Sequence, residues 1–145
     1  MKRLAAHIAV IATLSVAFAS CSKPAVSESF VSIEDRDVIG SYVFDMDLCD
    51  SLAAYDLYLY TRVDQRPSEL AAQEDMELRV RWISPQGERY EEQVYFPVRE
   101  KTKALYRSDF VPVEPGIWKL ELSVRDEVEG LRGMGIVLER KDGTR

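Results

Sequence analysis

The feature that most limits the fold of this chain is an alternation of apolar and polar residues that recurs along its length. In MELRVRWIS, residues 76–84, every second residue from Met76 to Trp82 is apolar and the residues between them are charged. Successive side chains of a β-strand point to opposite faces of a sheet, whereas a helix would spread both sets around its circumference. The segment is therefore predicted to be a strand with one buried face.

The same period of two, with turn residues between the segments, predicts six further strands. PSELAAQED, residues 67–75, is an exception, because its helix-forming residues indicate a long loop with a helical turn. In SPQG, residues 84–87, Pro85 and Gly87 predict a turn. Short strands at near-regular spacing indicate an all-β fold, an antiparallel β-sandwich of the Ig-like or jelly-roll-like kind with about seven strands. The six further strands are residues 42–48, 55–63, 89–98, 104–113, 117–126 and 131–140.

The N-terminal segment has the order of a secretory signal. Lys2 and Arg3 precede an apolar run, and small residues stand immediately before Cys21. A membrane-spanning helix is the alternative, but it needs about 20 apolar residues, and this run is shorter and interrupted by polar side chains. Residues 1–20 are therefore predicted to be a lipoprotein signal peptide that is removed on export.

The ending FASC, residues 18–21, resembles a bacterial lipobox, in which the cysteine becomes the first mature residue and is acylated. We therefore predict that Cys21 is lipidated, that residues 21–39 form the lipidated cysteine and a tether, and that residues 40–145 form the β-sandwich domain. A short first strand around Phe30 is an alternative that would end the tether near Ser29.

The chain has 2 cysteines, so a disulfide between Cys21 and Cys49 is the competing possibility in an oxidising compartment. A cysteine held in a thioether cannot form a disulfide, and the two hypotheses exclude each other. The lipid attachment is favoured because a signal precedes Cys21. Cys49 is then expected to be a small buried or half-buried residue.

Removal of residues 1–20 leaves 125 of the 145 residues, enough for one domain with a hydrophobic core. It also lowers the 19 basic residues to 17 against 25 acidic ones, so the formal charge moves from −6 to −8. A surface this acidic argues against nucleic acid or anionic lipid as the main ligand, because basic patches bind both.

The sequence offers little for catalysis or for a cofactor. Its single histidine, His7, lies in the segment predicted to be removed, so the mature chain lacks the commonest general base and zinc ligand. It contains no glycine-rich phosphate loop, nucleophile elbow or zinc spacing. A calcium site at Asp45, Asp47 and Asp50 is conceivable, but the solvent face of a strand explains the first two more simply. We expect a protein that is not an enzyme, with no cofactor and no metal.

The best-placed candidate site is aromatic. Tyr58, Tyr60 and Arg62 lie on the polar face of one predicted strand, and Tyr95 lies on the polar face of another. If the two strands are neighbours, these residues form an exposed strip that would stack on sugar rings or anchor a protein partner. The alternative, which we favour, is that the long loop covers this face or that the tyrosines form ordinary cross-strand pairs. Trp82 and Trp118, on apolar faces, are expected to pack in the core.

Four blocks follow one another within residues 40–142: YDLYLYTRVD, MELRVRWISPQG, FVPVEPGIWKLELSV and LRGMGIVLERKDG. In this order they resemble the gliding-motility lipoprotein GldH family of bacterial envelope lipoproteins. The resemblance implies a non-enzymatic, membrane-attached periplasmic accessory protein associated with the gliding machinery.

The residues after Cys21 bear on the location of the protein. Ser22 is not the aspartate that resembles an inner-membrane retention signal, and SKPAV lacks the acidic run that resembles a surface-export signal. We expect attachment to the lipid bilayer through Cys21, at the outer membrane facing the periplasm, with another envelope protein as partner. A carbohydrate-binding module that takes a glycan on the tyrosine strip is the competing function.

Overall fold

A computed structural model of the chain describes residues 24–99 and 103–141. Each of the seven predicted strands is present, and the predicted loop at 67–75 contains a short helix. One further strand precedes them. The strands are β1 (Val26–Ser32), β2 (Tyr42–Leu48), β3 (Ala54–Val63), β4 (Met76–Ile83), β5 (Arg89–Phe96), β6 (Lys103–Phe110), β7 (Gly116–Val124) and β8 (Leu131–Lys141), with a 3-10 turn at Ile33–Asp35 and helix α1 at Pro67–Ala71.

The strands form two four-stranded antiparallel sheets that face each other, which confirms the predicted β-sandwich. The first sheet has the order β1-β8-β3-β6 and the second the order β2-β7-β4-β5. Among the strands that the structure describes, only β4 and β5 follow one another within a sheet. Every other connection crosses from one sheet to the other, so loops at both ends of the sandwich link the two layers.

The turn between β4 and β5 forms as its sequence predicts. The N–H of Gly87 donates to the carbonyl oxygen of Ser84 at 2.9 Å, and Gly87 has a φ of 91°. The N–H of Glu88 also donates to the Ser84 hydroxyl at 3.1 Å. These bonds fix the register of the hairpin, in which Ile83 lies opposite Arg89.

The core lies between the sheets and consists of the apolar half of each alternating strand. Leu57 in β3, Leu78 in β4 and Leu120 in β7 are completely inaccessible to solvent. Burial of a leucine side chain stabilises a fold by about 1.5–3 kcal/mol, so this layer is the main source of stability. Other inward-facing members are Tyr42, Phe44, Met46, Leu48, Leu59, Val80, Leu122, Met134, Ile136 and Leu138.

The tether predicted for residues 21–39 is wrong from Val26 onward, because β1 lies inside it. The alternative, a short first strand around Phe30, is confirmed, although the strand begins before Ser29. β1 pairs with β8 from Val26 opposite Glu139 to Ser32 opposite Gly133, and the N–H of Arg140 donates to the carbonyl of Ala25 at 2.7 Å. The folded domain therefore begins before residue 39. β1 lacks the apolar–polar alternation of the other strands because it is an edge strand, with serines at the positions opposite Ile136 and Leu138.

The strand directions define two ends of the sandwich. We call the end at which β1 begins and β8 finishes the N-terminal end; it carries the loops 49–53, 84–88 and 111–115. Cys49 lies in the first of these loops and is exposed, so the expectation of a buried or half-buried cysteine is wrong. Leu48 is the last inward-facing residue of β2, so Cys49, the residue after it, falls on the outward side.

Cys21 lies outside the described residues, and so does the predicted signal peptide. Within residues 24–99 and 103–141, no helix is long and apolar enough to cross a membrane. Over the same residues, no cluster of three or more histidine, cysteine, aspartate or glutamate side chains is arranged to hold a metal ion.

Candidate binding cleft

The predicted tyrosine strip does not exist as one surface. Tyr58, Tyr60 and Arg62 lie on β3 in the first sheet, whereas Tyr95 lies on β5 in the second. The two strands belong to different layers, so their outward faces point away from each other. The strip of four residues is therefore wrong, because strand order follows from long-range pairing and not from neighbouring sequence.

Tyr60 packs onto the sheet and stabilises it. Its ring covers Gly135 of β8, where an added Cβ would lie 2.1 Å from the Tyr60 ring. Phe30 of β1 covers Gly133 in the same way and stacks beside Tyr60 at 6.1 Å between ring centroids. The Tyr60 hydroxyl donates to Glu28 at 2.6 Å, and burial together with this bond raises the pKa of Tyr60 to about 12. Both rings act as cross-strand partners that cover glycine, in agreement with the favoured alternative.

The other members of the strip are also held locally. The Lys103 ammonium lies 4.0 Å from the centre of the Tyr58 ring, and the Arg62 guanidinium lies 4.4 Å from that of Phe30. Tyr95 is exposed, and its hydroxyl accepts a hydrogen bond from Gln93 at 3.1 Å. The cations occupy the ring faces of the first sheet that a sugar would otherwise stack on.

A different aromatic site lies at the N-terminal end, where the edge strands β5 and β6 face each other across the sandwich. It is a cleft of about 280 Å³. Apolar and aromatic side chains from both sheets and from the loop 111–115 form its walls, which is the usual character of a ligand site. The lining residues are Leu48, Trp82, Tyr90, Arg107, Phe110, Val111, Pro112, Val113 and Trp118.

Trp82 is the centre of the aromatic packing in this cleft. Its ring centroid lies 5.7 Å from that of Phe110 and 6.2 Å from that of Trp118, both in edge-to-face contact. Tyr106 stacks on Trp82 at 6.1 Å, and Tyr90 stacks on Trp118 at 6.3 Å. Such pairs fix ring orientation, and each contributes about 0.5–1.5 kcal/mol beyond its buried area. The cleft is therefore preformed.

A chain of hydrogen bonds behind the aromatic wall satisfies its polar atoms. The Trp82 indole N–H donates to the Tyr106 hydroxyl at 3.1 Å, and that hydroxyl donates to Glu92. Glu92 also forms an ion pair with Arg107 at the cleft margin. Burial, followed by the hydrogen bond to Glu92, raises the pKa of Tyr106 well above its usual range. Tyr106 therefore stays protonated and holds the Trp82 ring in place.

The surface left for a ligand is almost wholly apolar. The Trp118 indole N–H is engaged as well, donating to the Glu114 carbonyl at 2.8 Å. Among the described lining residues there is no carboxylate, histidine, serine or cysteine that could serve as nucleophile or general base. The arrangement can bind apolar or aromatic groups and orient them between rings.

The sequence held one signal for this site. Glu92 interrupts the apolar face of β5, and a carboxylate at an inward position needs a partner, which Tyr106 and Arg107 supply. Trp82 and Trp118 were expected in the core, and Trp118 is indeed 5% exposed. Their second role as cleft walls depends on the crossing loop 111–115, whose path the sequence pattern does not reveal.

Residues 24–99 and 103–141 define a β-sandwich domain with an aromatic site between its edge strands. Comparison of the chain with family models, with curated proteins and with solved structures gives no match.

Proposed function

We propose that this chain is a lipid-anchored, non-enzymatic binding protein of the cell envelope, and that the aromatic cleft is its binding site. The observation that carries the proposal is the character of the cleft: a preformed aromatic wall whose N–H groups at Trp82 and Trp118 are already bonded within the protein. A site of this kind gains free energy by removing apolar groups from water and offers no acid–base chemistry.

The attachment part of the proposal rests on the sequence around Cys21. An export signal followed by a lipobox-like cysteine supports acylation and insertion into the bilayer, and the residues after it support the periplasmic face of the outer membrane. The resemblance to the GldH family supports a role as an accessory of gliding machinery.

Another envelope protein is the partner that suits the cleft best. Aromatic residues in fully packed pockets are the typical anchors of protein interfaces. Carbohydrate binding at Tyr58 and Tyr60 receives less support, because Lys103 lies over one ring and the other ring lies against Gly135. A glycan would also need polar groups that the apolar cleft does not provide.

Site-specific crosslinking in intact cells tests the binding site. β5 supplies a matched pair of tyrosines, since Tyr90 lies beside the cleft and the exposed Tyr95 lies outside it. A photoreactive phenylalanine analogue at position 90 should capture a defined envelope protein, and the same analogue at position 95 should not. Equal capture at both positions, or none at position 90, would contradict the proposal.

Mass spectrometry of the purified protein tests the anchor separately. We expect the chain to begin at Cys21 with diacylglycerol on its sulfur and an acyl chain on its amine. An unmodified Cys21 thiol, or a disulfide with Cys49, would refute lipid attachment. Protection of the protein from protease added to intact cells would support the periplasmic location, and ready cleavage would contradict it.

A further inference from the structure

The distance between Cys21 and the folded domain is short. Residues 22–25 are the only ones between Cys21 and Val26, where β1 begins. A fully extended chain spans at most about 3.6 Å per residue, so Cys21 lies within roughly 18 Å of the start of β1. Because Ala25 is already bonded to Arg140 of β8, the free length is shorter still. If Cys21 is acylated, the N-terminal end of the sandwich is held at the membrane surface.

Exposed apolar side chains lie at this same end, as they also do at Val38 and Ile39 of the opposite end, which the anchor holds away from the membrane. Leu52 in the loop 49–53 is 93% exposed, and Val113 in the loop 111–115 is 84% exposed. Val111 and Val26 are each more than half exposed. The loops 49–53 and 111–115 lie side by side, since Leu48 is opposite Gly116 and Tyr55 is opposite Phe110. Exposed apolar side chains grouped in this way mark a contact surface.

The charge at this end identifies the kind of contact. The loops 49–53, 84–88 and 111–115 contain no lysine or arginine, whereas each contains one acidic residue. The basic residues of this end stand in the strands: Arg89 begins β5, and Arg140 and Lys141 end β8, where Lys141 is paired with Asp56 and Asp109. The loops themselves therefore offer no basic group to anionic headgroups. Transfer of their exposed leucine and valine side chains from water into the acyl boundary is favourable, so these loops suit shallow insertion into an uncharged lipid surface.

We propose that the N-terminal end of the sandwich is a membrane-contact surface in which Leu52, Val111 and Val113 insert into the leaflet that holds the acyl chains. This inference rests on the proposed lipid anchor and deepens it. The domain does not move freely on a flexible linker but lies against the bilayer in one orientation. Because Val111 and Val113 also border the aromatic cleft, the partner of the cleft is presented at the membrane surface.

A label on Cys49 tests the orientation directly. Cys49 is exposed in the same loop as Leu52, and it is the only other cysteine of the mature chain besides the acylated one. The acylated full-length protein, labelled there with a fluorophore, is reconstituted into phosphatidylcholine vesicles that contain lipids brominated on the acyl chain. We expect strong quenching that is insensitive to salt. The matched control carries Cys49→Ser and Val38→Cys, which moves the label to an exposed position at the opposite end, and should show no quenching.

Charged substitutions supply the second arm. Leu52→Asp with Val113→Asp should abolish quenching at Cys49 while the domain stays folded, because both side chains are exposed. Equal quenching at positions 49 and 38 would refute the membrane contact, and so would quenching that is unchanged in the variant with both aspartates. Neither result would bear on the lipid anchor. If the label on Cys49 is shielded in a dimer that persists in detergent and is not quenched by lipid, the surface is an interface with a second copy of the chain instead. An unmodified Cys21 in the same sample would overturn both proposals.

Discussion

Alanine in place of Gly130 is expected to destabilise the domain much more than alanine in place of Gly87. Both glycines have a left-handed backbone, with φ of 77° and 91°. Their surroundings differ, because a Cβ at Gly130 would lie 2.3 Å from the carbonyl oxygen of Asp64, whereas a Cβ at Gly87 would meet nothing within 4 Å. The pair therefore separates the cost of the backbone conformation from the cost of the overlap.

The magnitudes follow from these two contributions. A left-handed conformation costs a residue with a side chain about 1–2 kcal/mol, and alanine recovers about 0.4–1 kcal/mol by restricting the unfolded chain. Gly87→Ala should therefore cost about 1 kcal/mol. Gly130→Ala should cost the same amount plus about 1–3 kcal/mol for the overlap of its Cβ with the Asp64 carbonyl oxygen, because a backbone carbonyl cannot move aside as a flexible side chain can. It also perturbs the bond from the Asp64 N–H to the Gly130 carbonyl, which is 2.8 Å long.

Urea unfolding followed by circular dichroism measures the difference. With a denaturant dependence of about 1–3 kcal/mol per molar urea, an additional cost of about 2 kcal/mol moves the midpoint of Gly130→Ala below that of Gly87→Ala by about 1 M. Midpoints for the two variants that agree within about 0.3 M would refute the reasoning, since the close approach of Gly130 to Asp64 would then carry no energetic weight.

Three further substitutions test the core, the cleft and the contacts of Asp56 with Lys141 and the Asp109 N–H. Leu120→Ala removes a fully buried side chain and should cost about 2–5 kcal/mol in calorimetry, whereas Ile117→Ala, on the exposed face of the same strand, should cost less than about 0.5 kcal/mol. The Asp109 backbone N–H and then Lys141 hold the pKa of Asp56 below its usual 3.8, so Asp56 contributes stability above about pH 4 that is lost as the pH falls through the folded-state pKa. Asp56→Asn should therefore be less stable than wild type at pH 7, and the gap should close in acid; a gap that persists unchanged at pH 2 would contradict this. Tyr106→Phe should cost about 1–2 kcal/mol and shift tryptophan emission, because it removes the acceptor of the Trp82 N–H and a donor to Glu92; an unchanged spectrum and stability would argue against the bonded chain.

The sequence pattern was sufficient for the strands that are buried on one face. In β4 the alternation from Met76 to Trp82 marks both the element and its inward side, because burial on one face forces a period of two. β1 is different, because Ser27 and Ser29 lie where apolar residues would be expected. The strand forms because its backbone pairs with that of β8. Only the apolar residues around Phe30 indicate a strand, because pairing with a distant segment leaves no local pattern in residues 26–29.

The candidate site was less predictable for the same reason. Tyr58 and Tyr95 were placed correctly on the outward faces of their strands, but the sheet to which each strand belongs follows from the whole topology. The cleft depends on the path of a loop and on Asp109, whose φ of 49° bends the chain just before Val111. The Asp109 N–H donates to Asp56 at 2.8 Å, a contact between residues far apart in the chain.

The pairing of β1 with β8 has a consequence for the making of the protein. Among the described strands, β1 emerges from the ribosome first and its partner β8 emerges last. Until the residues of β8 have been synthesised, β1 and one side of β3 remain open to pairing with foreign strands. Closure between such distant segments is also intrinsically slow. A premature stop codon after β7 would therefore yield a chain that aggregates, because the edge of β1 and one edge of β3 would stay unpaired.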